Sequence, residues 1–105
     1  MSGITTHVLD IARGRPAAGV PVRLELRDGD AWREIGGGTT DADGRLRTLT
    51  GPSIEAGTYR ITFDTRGRSE FFPEVAIVFV VHDAAQHYHV PLLLSPFGYS
   101  TYRGS

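Results

Sequence analysis

Two histidines two positions apart, His87 and His89, stand in the run His87-Tyr88-His89-Val90-Pro91-Leu92-Leu93-Leu94. Residues i and i+2 of a strand share a face, so both imidazoles project together while Tyr88, Val90, Leu92 and Leu94 form the core set. A third histidine, His7, lies in Ile4-Thr5-Thr6-His7-Val8-Leu9-Asp10, where neither face is cleanly apolar. Imidazole titrates near neutral pH, and its spacing here leaves two chemistries open. One is a two-histidine acid-base site; the other is a metal site using His87 and His89 with His7 or His82 as third ligand. The plainer alternative is a set of surface or interface histidines hydrogen-bonded to backbone. Arg45, directly after Asp43-Gly44, reads either as a solvated loop charge or as a clamp on an anion or developing oxyanion. The stretch Tyr102-Arg103-Gly104-Ser105 follows a strand-like segment and offers a phenol, a guanidinium, a hydroxyl and a carboxylate together, where most terminal residues only fray.

Composition removes other chemistries. The 105 residues include no Cys, and all 11 basic residues are Arg. Thiolate nucleophiles, disulfides and thiolate metal sites are excluded, as are Schiff-base and phosphate-loop lysines. With 12 acidic residues the net charge is -1, so the basic footprint of a nucleic-acid binder is missing. The longest apolar run, residues 75–81, is too short to span a membrane. These observations predict one domain over residues 1–105, in the cytoplasm, with no nucleic-acid or membrane partner.

The elements that must position the candidates are strands. Val20, Val22, Leu24 and Leu26 alternate with Arg23, Glu25 and Arg27, and Pro21 marks a strand start or an edge. Tyr59, Ile61 and Phe63 alternate with Thr58, Arg60, Thr62 and Asp64. Asp41-Ala42-Asp43-Gly44 reads as a hairpin turn. Ser95-Pro96-Phe97-Gly98 fits a type I turn that returns the chain into Tyr99-Ser100-Thr101-Tyr102. Residues 75–81 are apolar on both faces, which implies a cover for the second face and points to a subunit interface. The sum is an all-β sandwich of about eight short strands.

These motifs resemble the 5-hydroxyisourate hydrolases, the enzymatic relatives of transthyretin. The likeness runs through Thr5-Thr6-His7-Val8-Leu9-Asp10, Gly14-Arg15-Pro16-Ala17, Asp43-Gly44-Arg45, Phe71-Phe72-Pro73-Glu74, the histidine strand and Tyr99-Ser100-Thr101-Tyr102-Arg103-Gly104-Ser105. The histidine strand and residues 102–105 carry most of its specificity. The resemblance implies a transthyretin-like (prealbumin-like) sandwich of two antiparallel sheets with at most one short helix, assembled as a homotetramer. It implies hydrolytic opening of the six-membered ring of 5-hydroxyisourate to 2-oxo-4-hydroxy-4-carboxy-5-ureidoimidazoline in urate degradation, with neither cofactor nor metal. His7, Arg45 and His89 would be catalytic. His7, Arg45, Tyr102, Arg103, Gly104 and Ser105 would bind the substrate. A non-enzymatic small-ligand carrier is the alternative. The connection Thr65-Arg66-Gly67-Arg68-Ser69-Glu70 is shorter than the family's short-helix segment, so that helix is expected to be truncated or absent.

Overall fold

Period-two alternation builds two layers whose apolar faces meet. The computed structural model describes residues 3–51 and 53–105. In chain order the strands are β1 (Gly3–Asp10), β2 (Arg15–Pro16), β3 (Pro21–Asp28), β4 (Ala31–Thr39), β5 (Arg45–Leu46), β6 (Gly57–Asp64), β7 (Glu74–Val81), β8 (His87–Ser95) and β9 (Gly98–Thr101). One sheet runs β2-β1-β8-β9, with β5 also pairing β1; the other runs β4-β3-β6-β7. The inward residues expected on β3 and β6 are buried, with Leu24, Ile61 and Phe63 wholly inside. They meet Ile4, Val8, Leu92 and Leu94 from the first sheet in a single apolar cluster. Each such side chain contributes about 1.5–3 kcal/mol relative to exposure.

Two expectations need correction in detail. Every pairing is antiparallel except β1 with β8, which run parallel from Gly3↔His87 to Asp10↔Leu94. Side-chain alternation carries no information on strand direction, and a parallel pair needs a long crossover, which the whole second sheet supplies. The turn at Asp41 to Gly44 is tight, but it closes no hairpin. It carries the chain from β4 in one sheet to β5 in the other, because β5 finds its partner in β1.

Connections 65–73 contain no helix. The Thr65 carbonyl accepts from the N–H groups of Arg68 and Ser69 at 3.0 Å each, and the buried Thr65 hydroxyl donates to the Phe72 carbonyl at 2.5 Å. Thr65 thus closes the link without a helix. On β7 the second apolar face is uncovered in the single chain, with Val78 57% and Val80 46% exposed.

Three consecutive glycines lie inside β4, where the segment after β5 crosses close above. A Cβ at Gly36 would run into the Leu49 carbonyl oxygen, and one at Gly38 would lie 3.0 Å from Leu46 Cδ1. Gly36→Ala is therefore expected to destabilise the fold by about 1–3 kcal/mol, the usual cost of overpacking. A thermal melt checks this, and an unchanged midpoint would refute the close approach.

Candidate active site

The exposed face of the first sheet gathers the chemistry-bearing side chains. On β1 the core side takes Ile4, Thr6 and Val8, and the outer side takes Thr5 and His7. Thr6 is tolerated inside because its hydroxyl donates to the Val90 carbonyl at 2.6 Å. Antiparallel pairing sets Arg45 of β5 opposite His7, and parallel pairing sets His89 of β8 opposite Thr5. Three separate segments therefore deliver His7, Arg45 and His89 to one face.

The turn before Arg45 is fixed by Asp41. Its carboxylate accepts the N–H groups of Asp43 at 2.9 Å and Arg45 at 3.0 Å. The Arg45 N–H, first among the causes, holds the Asp41 carboxyl below the usual carboxylate range. Gly44 has φ +75° and is pressed against β1, where a Cβ would strike the Val8 carbonyl oxygen. Only glycine enters that conformation at no steric cost.

His7 Nε2 lies 2.8 Å from the Asp43 carbonyl oxygen. A carbonyl only accepts, so this nitrogen carries the proton and Nδ1 of the neutral ring holds a bare lone pair. His89 is half-buried, and its Nδ1 lies 2.8 Å from the Thr5 hydroxyl oxygen. Burial first, then the charges of Arg45, His7 and His87, hold its pKa below the ordinary imidazole value. The ring is accordingly neutral at neutral pH.

Residues 102–105 fold back along β8. The β8–β9 register, Leu92↔Thr101, continues to an isolated bridge at His89↔Gly104. Between them Pro91 has no N–H to donate, and its carbonyl accepts from the Thr101 hydroxyl at 2.7 Å. The ladder lapses opposite Tyr102 and resumes where the Gly104 N–H donates to the His89 carbonyl at 2.8 Å. Gly104 lies against the imidazole, since a Cβ there would be 2.7 Å from His89 Cδ2. Arg103 anchors the return: its Nη2 donates to Gln86 Oε1 at 3.0 Å and to the His87 carbonyl at 3.2 Å. Its guanidinium also stacks 4.3 Å from the centre of the Tyr88 ring.

A cavity of about 310 Å³ results, lined by Thr5, Arg45, Arg47, His87, His89 and Ser105 among others. Of the residues singled out in the sequence, Arg45, His87, His89 and Ser105 line it directly. His7 stands beside it as the cross-strand partner of Arg45. Arg103 turns to the adjoining hollow, and Tyr102 is 60% exposed. His82 is exposed and stays outside the cavity. Among the described residues no three His, Cys, Asp or Glu side chains group as a metal site requires. Thr5 and Arg47 were not singled out, although Thr5 stands two residues from His7 and so shares its face. A larger hollow of about 570 Å³ opens on the other sheet between Arg23, Thr62, Asp64 and Glu74, and it contains no histidine. The cavity at His89 combines imidazole with guanidinium groups, a set suited to acid-base hydrolysis of a small anionic carbonyl compound.

Fold and face together define a transthyretin-like sandwich with a histidine-arginine site on one sheet. Comparison with known proteins agrees: the family model described as the HIUase/Transthyretin family matches residues 4–104, and the chain belongs to that family. It is 47% identical to the 5-hydroxyisourate hydrolase of Caulobacter vibrioides, with both chains covered in full. Among solved structures, the Klebsiella pneumoniae 5-hydroxyisourate hydrolase superposes with a TM-score of 0.86 at 39% identity over 100% of each chain. Sea bream transthyretin, solved in complex with thyroxine, superposes with a TM-score of 0.88 at 34% identity, over 96% of this chain and 93% of its own. No helix among the described residues is long and apolar enough to cross a membrane.

Proposed function

We propose that residues 1–105 form a single hydrolase domain that opens the six-membered ring of 5-hydroxyisourate in urate degradation. The observation that carries this reading is the meeting of His7, Arg45 and His89 on one sheet face, with Gly104 and Ser105 closing over His89. Full-length relatives named for that activity support it over the carrier alternative.

Water attacks a ring carbonyl as the bare Nδ1 of His7 takes its proton. The new C–O bond forms, the adjacent C–N bond breaks, and the proton on His7 passes to the departing nitrogen. Arg45 holds the anionic ring and, with His89, stabilises the charge that develops on oxygen. Arg103 serves by anchoring residues 102–105, while Tyr102, Gly104 and Ser105 complete the substrate's surroundings. Imidazole and guanidinium groups suffice, with no metal or cofactor in the mechanism. Two further parts of the proposal rest on narrower ground. The uncovered face of β7 supports a homotetramer, and the cytoplasmic compartment rests on the sequence alone.

The test generates 5-hydroxyisourate in situ from urate with urate oxidase and follows its decay with and without chelator-treated protein. Faster decay that survives chelation is the expected result. Decay at the spontaneous rate would reject hydrolysis and leave the carrier reading, and activity lost to the chelator would overturn the metal-free mechanism.

A further inference from the structure

The Thr5 hydroxyl lies between two imidazoles, 2.8 Å from His89 Nδ1 and 2.9 Å from His87 Nε2. A hydroxyl has one proton to donate. With both rings neutral, it donates to one and accepts from the other, which forces the two rings into a linked pair of tautomers. Either His87 Nε2–H donates to Thr5 and Thr5 donates to a bare His89 Nδ1, or the whole chain runs in reverse.

The far end of the chain decides the direction. His87 Nδ1 is buried and has no hydrogen-bond partner among the described residues. In the reverse direction the neutral His87 ring would carry its proton on that nitrogen, as an orphaned buried donor. Orphaned buried N–H groups are the rarer kind of unsatisfied polar group, and leaving one unpaired incurs its desolvation cost. In the forward direction the same nitrogen holds only a lone pair.

We propose that Thr5 is a positioning residue whose hydroxyl, with His87 behind it, fixes the proton of neutral His89 on Nε2. Its catalytic meaning rests on the hydrolase reading. His89 then works as a neutral hydrogen-bond donor toward a substrate oxygen, the role that a histidine of lowered pKa fills in other enzymes. His7, with its bare Nδ1, is the proton acceptor of the pair. No proton leaves His89 during turnover: the one taken from water by His7 is the one delivered to the departing nitrogen.

The tautomer is read directly from the 15N shifts of the His89 ring nitrogens in the protein without substrate. The expected wild-type result is a protonated Nε2 and a bare Nδ1. Thr5→Val keeps the side-chain shape and removes the hydroxyl. It should mix the His89 tautomers and lower kcat about 10- to 100-fold, by analogy with the hydrogen-bond partners that orient metal-bound histidines, with KM little changed. Thr5→Ser should restore both. A proton on His89 Nδ1 in the wild type overturns the proposal, as does an unchanged tautomer in Thr5→Val. The wild-type reading needs neither substrate nor variant, so it decides the matter even where Thr5→Val does not fold. A wild type with protonated Nε2 and no turnover would reject the hydrolase reading and leave the tautomer assignment standing.

Discussion

His7→Ala is expected to lower kcat/KM by about 10²–10⁴-fold, the contribution of a positioned general base, while the fold persists. The physical ground is that His7 lies on the solvent face of β1 and is absent from the apolar cluster that holds the sheets together. The hydrogen bond from its Nε2 to the Asp43 carbonyl ties β1 to the turn before Arg45, so a drop in activity has two explanations. His7→Gln separates them. The glutamine amide can donate to the same carbonyl but offers no nitrogen lone pair to water. On the base assignment His7→Gln is as inactive as His7→Ala; recovery with glutamine would reduce His7 to a support for Arg45. Steady-state kinetics with 5-hydroxyisourate, alongside a melt of each variant, makes the distinction.

Deleting residues 102–105 is expected to abolish measurable turnover, for reasons that concern His89. The Gly104 N–H donates to the His89 carbonyl, and Gly104 lies close against the ring. Removing this wall opens the cavity to water and frees the imidazole to rotate. Misplacement of a reacting group by about 1 Å can cost on the order of 10²-fold. Gly104→Ala tests the same contact with one methyl group. Its Cβ would stand 2.7 Å from His89 Cδ2, so either the tail or the ring must move, and activity should fall while stability is nearly unchanged. Full activity in the deletion variant would remove these residues from any part in catalysis. Full activity in Gly104→Ala alone would show that the tail acts without touching His89.

The anchoring of that tail shows where sequence reasoning reached and where it stopped. Residues 102–105 are conspicuous in the sequence because a phenol, a guanidinium and a hydroxyl follow a strand. Their registration on β8 could not be read, because it depends on Pro91. A proline ordinarily argues against a strand flanked on both sides, yet β8 lies between β1 and β9. Its missing N–H falls opposite Tyr102, where the ladder lapses, and the Thr101 hydroxyl takes its carbonyl. The resemblance groups Arg103 with the substrate-binding residues, and in the structure its side chain lies against Gln86, His87 and Tyr88. A guanidinium suits an anion and a carbonyl alike, and only the neighbours choose.

The sequence by itself determined the layers and the menu of chemistry. Alternation at residues 20–27 and 58–64 assigned inward and outward faces, since a strand has a fixed period of two. The absence of Cys and Lys confined any reaction to imidazole, guanidinium, hydroxyl and carboxylate groups or a histidine-bound metal. The tertiary structure decided what alternation cannot encode: strand direction, strand neighbours and register. The parallel β1–β8 pairing put Thr5 opposite His89, and the crossing from β4 to β5 put Arg45 opposite His7. Both are long-range pairings between segments whose local patterns fit many partners, because periodicity specifies the face of a residue and only backbone hydrogen bonding specifies what stands beside it.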